Sequence, residues 1–205
     1  MTGVQTCALP ICLGVRTAST QKEFSTGSLK NTGNFLDVAI QGDGFFQITM
    51  PDGSIGYTRD GSFQISDQGT LVTSEGLTVA PGIKIPSDAS SVNISSTGIV
   101  SVTAGSSASL TEVGRIELAR FANPSGLQSM GGNLFQATAA AGEPTTGYPQ
   151  DEGLGRVQQG YLESSNVEIV QEMVDMISAM RAYEVNSKAI KNSESMAEIS
   201  NNLIR

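Results

Sequence analysis

Acidic residues followed by glycine are the first feature of this chain that could do chemistry. Asp-Gly occurs at residues 43–44, 52–53 and 60–61, and Asp67-Gln68-Gly69 follows. Carboxylates in glycine-rich loops can bind calcium, and Gly42-Asp43-Gly44 begins like a dinucleotide-binding loop. These aspartates lie seven to nine residues apart, unlike the alternating ligands of an EF-hand. The third glycine position of the nucleotide motif is Gln47, so neither a metal nor a cofactor is predicted.

The same stretch is better explained as β-structure. Asp43–Thr49 returns seventeen residues later as Asp60–Ser66, and each Asp-Gly separates short runs with strand character. Asp-Gly between such runs is a strong hairpin signal, because type I′ turns need positive φ at both central residues. We therefore predict a β-meander here. Further strands are predicted at 77–80, at 83–85, across the Ser96-Thr97-Gly98 turn, and finally at 115–121.

Composition restricts the chemistry further. The chain has 205 residues, a formal charge of −8 and no histidine. Without histidine, Ser-His and Cys-His nucleophile pairs are impossible, so the chain is predicted not to be an enzyme. Scattered basic residues on an acidic chain also argue against nucleic acid as a partner. A secreted carbohydrate-binding or adhesive β-domain is the rival class, and its candidate aromatics are Tyr57, near Arg59 and Asp60, and Tyr148, near Asp151.

Beyond Gly160 the pattern changes to that of one long helix. No glycine or proline occurs between Tyr161 and Arg205, and Ser165 with Glu168 forms a capping-box pattern. Apolar residues follow a seven-residue step from Ile169 through Met176, Tyr183, Ile190 and Ala197 to Ile204, which is typical of a coiled-coil seam. In the first half this seam is widened by Val170, Met173, Val174, Ile177 and Met180. We predict an assembly interface made of Ile169, Val170, Met173, Val174, Met176, Ile177, Met180, Tyr183, Ile190 and Ala197; the alternative is a helix packed on its own β-domain.

Together these patterns predict a mainly β protein with one long helix. The fold class is an antiparallel β-sandwich or small barrel followed by a C-terminal coiled-coil-type helix. We expect a non-native segment at 1–12, since Thr2–Ile11 reads like a translated sequencing adapter. An extended linker at 13–34, a β-rich domain at 35–136, a loop or return segment at 137–160 and the helix at 161–205 follow. The thiols Cys7 and Cys12 carry no functional expectation.

Four segments resemble a known family: DVAIQGDGFFQI, YTRDGSFQI, GYLESSNV and MRAYEVNSKAI. Their combination resembles the rod and hook subunits of bacterial flagella, most closely the distal-rod branch, over roughly residues 14–205. The family motif residues are Ser165, Asn166, Val167, Arg181, Ala182, Tyr183, Glu184 and Asn186. The N-terminal amphipathic helix of the family has no counterpart here, which favours an N-terminally truncated chain.

The resemblance implies a structural subunit of the distal rod of the flagellar basal body, acting in motility. A hook or proximal-rod subunit is the alternative within the family. Implied partners are further copies in a helical homo-oligomer, other axial proteins of the proximal rod and hook, and the surrounding P- and L-ring proteins. It also implies location in the periplasm-spanning rod, type III export without a cleaved signal peptide, and no membrane insertion.

Overall fold

Sixteen strands and one long α-helix make up the part of the chain that the computed structural model describes, residues 20–104, 110–151 and 153–203. A short 3₁₀ turn lies at Pro124–Gly126. The first eight strands are β1 (Leu29–Asn31), β2 (Val38–Gln41), β3 (Phe45–Thr49), β4 (Ile55–Thr58), β5 (Phe63–Ile65), β6 (Leu71–Thr73), β7 (Thr78–Val79) and β8 (Ala89–Ile94). The others are β9 (Ile99–Ala104), β10 (Leu110–Arg115), β11 (Leu118–Arg120), β12 (Gln128–Gly131), β13 (Leu134–Gln136), β14 (Thr145–Gly147), β15 (Arg156–Gln159) and β16 (Tyr161–Glu163), followed by α1 (Ile169–Leu203). The prediction of antiparallel β-structure with a single C-terminal helix is confirmed.

The sheets remain open. The largest sheet contains nine strands, seven of them in the order β12-β13-β4-β3-β7-β6-β5, with β11 pairing to β3 and β14 to β11. A three-stranded sheet has the order β10-β9-β8, and β15 pairs with β2. Because the order of the nine-stranded sheet ends at β12 and β5, no closed barrel forms among the described residues, and the barrel alternative is wrong.

The β-meander prediction is only partly correct. Strands β3 and β4 form a hairpin, as do β5 and β6, but β4 pairs with β13 rather than β5. The reason lies at Gly61, whose missing side chain lets the backbone approach Val38 O, so that Val38 N donates to Gly61 O at 3.0 Å. A Cβ at this position would collide with that carbonyl. Asp60-Gly61 therefore marks a crossing of two chain segments, not a hairpin turn.

The first hairpin also differs from the predicted turn type. Gly53 has φ 83° and its N–H donates to Met50 O at 2.9 Å, while Asp52 is not among the described residues with positive φ. Pro51 occupies the first central position, and its ring holds φ near −65°, which excludes a type I′ turn. The loop is a type I turn followed by a left-handed glycine, the usual solution for three-residue hairpin loops.

Two hydrophobic cores lie on opposite faces of β3. Phe46 packs edge-on against Phe63 with ring centroids 5.0 Å apart, in the larger core. Phe45 points the other way and contacts Phe121 and Phe24 at 5.9 and 5.5 Å between centroids, in a smaller, aromatic core. Successive side chains of a strand alternate in direction, so one Phe-Phe pair serves both cores. The strand thus joins two layers, as expected of a sandwich.

Five of the predicted segments need correction. Residues 29–31 of the expected linker form β1, and Phe24 is packed in the aromatic core. Strands β14 and β15 lie within 137–160, where a loop was predicted, and Tyr161–Glu163 is strand rather than helix. The segment 83–85 makes only an isolated bridge, between Thr70 and Lys84, and 115–121 is divided between β10 and β11. The segment 1–12, predicted to be non-native, and Ile204 lie outside the described residues.

Candidate functional site: the C-terminal helix and its root

The helix leaves the β-structure from a two-stranded ribbon. Strand β16 pairs antiparallel with β1, and Leu29 faces Glu163 at the end nearest the helix. Five residues, 164–168, connect Glu163 to the first residue of α1. We call these five residues the helix root.

The predicted capping box is not formed. Ser165 Oγ accepts a hydrogen bond from Val167 N at 3.3 Å, two residues on, whereas a capping box needs the N–H of Glu168. The first hydrogen bond of the helix runs from Glu172 N to Glu168 O at 3.1 Å. Ser165 therefore shapes the turn before the helix, and Glu168 takes the position from which the helix starts.

Asn166 holds the incoming chain against the helix root. Its side-chain amide donates to Ser25 Oγ at 2.9 Å and to Ser25 O at 3.3 Å, across 141 residues of sequence. Beside this contact Ser164 N donates to Ser28 O at 2.8 Å. Gly27 lies so close to Ser164 O that a Cβ there would collide with it. The segment 23–28 and the helix root therefore leave the β-structure side by side.

A partly buried ion pair lies beneath the same junction. Arg59 Nε donates to Glu163 Oε2 at 2.9 Å, and the two side chains are 14% and 12% exposed. The second carboxylate oxygen of Glu163 accepts from Gly27 N at 2.8 Å, and Arg59 Nη2 donates to Gly42 O at 3.1 Å. The guanidinium also lies over the Phe45 ring at 5.9 Å. The pair thus connects four separate chain segments.

The helix itself is exposed along its whole described length. Its 35 residues, 169–203, extend about 52 Å at 1.5 Å per residue, and none of them is buried. In the first half the exposed fractions of the predicted interface residues run from 49% at Val174 to 78% at Tyr183. Ile190 is 42% exposed. The helix does not pack on its own β-domain, which excludes the alternative considered from sequence.

A second apolar band on this helix escaped the sequence prediction. The first apolar face consists of Ile169, Val170, Met173, Val174, Met176, Ile177, Met180 and Tyr183; the second consists of Val185, Ala189, Met196, Ile199 and Leu203. At 100° per residue the centres of these two faces lie about 130° apart around the helix. Met196, Ile199 and Leu203 are 72%, 60% and 80% exposed. The spacing 196, 199, 203 was the available signal, and the seven-residue count from Ile169 obscured it.

The remaining motif residues lie near the middle of the helix. Arg181 and Ala182 fall within the first half, while Glu184 and Asn186 lie where one apolar face gives way to the other. Glu184 forms an ion pair with Lys188 at 2.7 Å, one turn on, and both side chains are more than half exposed. Such exposed pairs stabilise a helix by only about 0.3–0.5 kcal/mol. This motif therefore presents solvent-exposed side chains rather than core contacts.

Two of the aspartates that could have held a ligand, Asp52 and Asp60, serve turns instead. Asp52 Oδ1 accepts from Ser54 N and Ser54 Oγ at 2.9 and 2.6 Å, and Asp60 Oδ1 accepts likewise from Ser62 at 3.0 and 2.8 Å. The Ser54 hydroxyl, and secondarily the Ser54 N–H, lower the pKa of Asp52 below its ordinary value. Within residues 20–104, 110–151 and 153–203 no three His, Cys, Asp or Glu side chains are grouped to hold a metal ion.

Of the two aromatic residues considered for a carbohydrate site, Tyr57 is buried, and Tyr148, which is 38% exposed, has one ring face occupied. Tyr57 is 4% exposed and packs edge-on against Phe121 at 4.7 Å between centroids. The Tyr148 ring is covered by the guanidinium of Arg115 at 3.8 Å. The cleft at the helix root, of about 490 Å³, is lined by Phe24, Phe135 and Asn166 and by four charged residues, Glu23, Arg59, Asp60 and Glu163. Arg59 and Glu163 are paired with each other, and Asp60 Oδ1 is already engaged by Ser62. A sugar-binding platform is therefore not supported.

No described helix has the length and apolar character needed to cross a membrane. The apolar residues of α1 are interrupted by charged ones on every turn or two, from Glu172 to Glu198.

Two sequence profiles match the chain, one in each structural part. The flagellar hook protein FlgE/F/G D1 domain matches residues 39–102, within the β-structure. The flagellar basal body rod FlgEFG protein C-terminal profile matches residues 158–203, which include β16, the helix root and α1. The chain is thus similar to flagellar axial proteins in both its β-domain and its helix.

Individual relatives narrow the assignment. The flagellar basal-body rod protein FlgG of Borreliella burgdorferi is 50% identical over 194 residues, covering 94% of this chain and 73% of the relative. FlgG of Bacillus subtilis is 38% identical, covering 95% and 75%. The flagellar hook protein FlgE of Brucella suis is 40% identical over only 91 residues, or 44% of this chain. The chain belongs to the FlgG family of flagellar basal-body rod proteins.

Proposed function

We propose that this chain is a structural subunit of the distal rod of the flagellar basal body and assembles there through its C-terminal helix. The family assignment supports the rod. The observation that carries the assembly surface is the 35-residue helix, whose apolar side chains are all exposed and none of whose residues is buried. A surface of this kind is a marker of protein–protein contact.

Magnitudes support the same conclusion. Burying a side chain such as Val, Ile or Met stabilises an assembly by roughly 1.5–3 kcal/mol relative to leaving it exposed. The first apolar face alone has eight such side chains, and an isolated helix gains nothing from them. Part of this gain is lost to the cost of association. The remaining free energy is released only when a neighbouring helix covers the face.

The proposed partners are further copies of the chain in a helical homo-oligomer, together with other flagellar axial proteins of the hook and proximal rod. The surrounding P- and L-ring proteins are proposed as outer neighbours of the β-domain. The exposed helix supports the contacts with further copies of the chain. The ring contacts depend on the family resemblance alone.

We also propose that the subunit has no catalytic activity and no resident metal or cofactor. The absence of histidine in the whole sequence and the use of Asp52 and Asp60 in turns support this. Saturable, specific binding of a nucleotide or divalent ion that is lost in Asp60→Asn would contradict it.

The assembly proposal is tested by one charge placed in the first face of the full-length protein. Met180→Glu puts a carboxylate into an apolar contact, where an unpaired charge is costly, and should abolish incorporation into the rod and motility. Ser187→Glu introduces the same charge at a polar position and should be far milder.

The isolated monomer supplies the control. Since Met180 is 61% exposed, Met180→Glu should leave the melting temperature of the β-domain unchanged. A large fall in that temperature would mean that the helix packs on its own domain. Normal motility of Met180→Glu would show that this face makes no essential contact.

A further inference from the structure

We propose that the Arg59–Glu163 ion pair sets the direction in which the helix leaves the β-domain. Its role would be positioning, because both residues act through the helix root. The consequence for assembly depends on the function proposed above, but the positioning itself is a property of the single chain.

The need for such a device follows from how the helix is attached. No residue of the described helix is buried, so α1 has no buried contact with the β-domain that would hold its direction. It continues from a ribbon of two three-residue strands, β1 and β16, which belongs to none of the larger sheets. A two-stranded ribbon is marginally stable by itself. Backbone hydrogen bonds, such as Gly160 N to Asp37 O at 2.7 Å, fix the end of this ribbon that is far from the helix. At the end from which the helix leaves, the side chains of Arg59 and Glu163 connect the ribbon to the body.

Glu163 occupies the critical position in that connection. It is the last residue of β16, and both of its carboxylate oxygens are engaged, one by Arg59 Nε at 2.9 Å and one by Gly27 N at 2.8 Å. The carboxylate thus joins the end of β16 to the segment that precedes β1, and joins both to the body of the β-domain. A single hydrogen bond would act as a pivot, whereas two from different directions restrict rotation.

Arg59 is in turn fixed within the body. It follows β4, which lies inside the nine-stranded sheet, and its Nη2 donates to Gly42 O at 3.1 Å while the guanidinium lies over Phe45. The planar guanidinium can serve two acceptors without changing its orientation. The large sheet therefore fixes the guanidinium of Arg59, and the guanidinium in turn fixes Glu163, the residue that precedes the helix root.

Burial distinguishes this pair from ordinary surface charges. The second ion pair of the described residues, Lys188–Glu184, is 70% and 63% exposed, against 14% and 12% for Arg59–Glu163. The charged groups of an exposed pair readily replace each other by water. A partly desolvated pair with additional hydrogen bonds keeps one geometry. Only the latter can hold a direction.

The test is a distance measurement on the full-chain monomer. Cys7 and Cys12 are replaced by serine, and spin labels are placed at Gln68, in an exposed turn of the body, and at Gln171, in the first turn of α1. A label in the first turn reports the root even if the far end of the helix frays. We expect a narrow distance distribution by double electron–electron resonance in the parent protein.

Two variants remove the pair in different ways. Arg59→Met keeps a long, unbranched side chain that can still contact Phe45. Glu163→Gln keeps the shape of the carboxylate. Both should broaden and shift the distribution. The double variant should broaden it no further than the more affected single variant, because the two residues act as one unit. Glu112→Gln, an exposed carboxylate on β10, is the matched control and should change nothing.

The outcomes are decisive in either direction. An unchanged distribution in both variants, or a broad one already in the parent, would overturn the proposal. So would loss of the β-domain melting transition in both variants, because the pair would then be a part of the core. Broadening with an intact β-domain supports it, whether or not the chain assembles; rod incorporation, measured separately, tests the proposed function.

Discussion

Asn166 donates its side-chain amide to Ser25 Oγ at 2.9 Å, joining the start of the helix to a segment 141 residues earlier in the chain. The segment around Ser25 and the start of the helix therefore lie next to each other. Asn166 lies in the Ser-Asn-Val segment by which the sequence was predicted to resemble the family, and the contact gives this residue a structural role.

We expect Asn166→Asp to release this segment. Replacing the amide by a carboxylate removes the donor and places a negative charge beside two carbonyl oxygens, those of Ser25 and Glu23. The site is exposed, so the loss of stability should be about 1 kcal/mol or less. Hydrogen exchange of residues 23–28 should become faster, while Asn192→Asp, on the exposed helix, should leave it unchanged. Equal hydrogen-exchange protection of residues 23–28 in both variants would show that the Asn166 side chain does not hold this segment.

The second apolar face of the helix predicts a second neighbour. In the full-length protein Ile199→Glu should block rod incorporation, because it places a charge in the band formed with Met196 and Leu203. Asn201→Glu, on another side of the same turn, should be tolerated. In assembled rods, cysteines at positions 180 and 199 should cross-link to different sites. Cross-linking of both to one site would refute two separate contacts.

Gln159 predicts a measurable link between sheets. Its side-chain oxygen accepts from Ile94 N at 3.1 Å, and its amide donates to Val92 O at 2.9 Å and Phe35 O at 2.7 Å, so it takes the place of a strand beside the edge of β8. Gln159→Glu should cost about 1–3 kcal/mol of unfolding free energy, because two acceptors lose their donor. Urea denaturation measures the cost. The same change at Gln158 is the control, and equal effects would exclude this role.

Tyr57 predicts a loss of stability in alkali. Burial, and secondarily the Glu143 carboxylate, raise the pKa of Tyr57 above its ordinary value of 10.0. The unfolded chain therefore loses this proton first, and the stabilisation, complete below pH 10, is lost as pH rises through the higher folded pKa. In denaturant titrations from about pH 9 upward, Tyr57→Phe should show a flatter fall in unfolding free energy than the parent. Identical slopes would show that Tyr57 titrates as in water.

The long-range contacts explain most of what the sequence patterns could not predict. Asp-Gly between short strand-like runs predicted a hairpin at both Asp52-Gly53 and Asp60-Gly61, yet only Asp52-Gly53 closes one. Both use the same aspartate–serine hydrogen bonds, so local chemistry cannot separate them. The difference arises from Val38, which pairs with Gly61 from a distant part of the chain.

The helix and its root show the same difference between what local sequence predicts and what long-range contacts decide. A run of 45 residues without glycine or proline, with apolar residues at helical spacing, was sufficient to predict the helix and its first apolar face, because helix formation depends on neighbours within one turn. The motifs likewise identified the family. Only the tertiary structure determined that the helix starts at Ile169, that it lies free of the β-domain, and that Arg59, Gly27 and Glu163 meet beneath its root. These residues are separated by up to 136 positions, and no periodicity along the chain records a contact that only folding brings about.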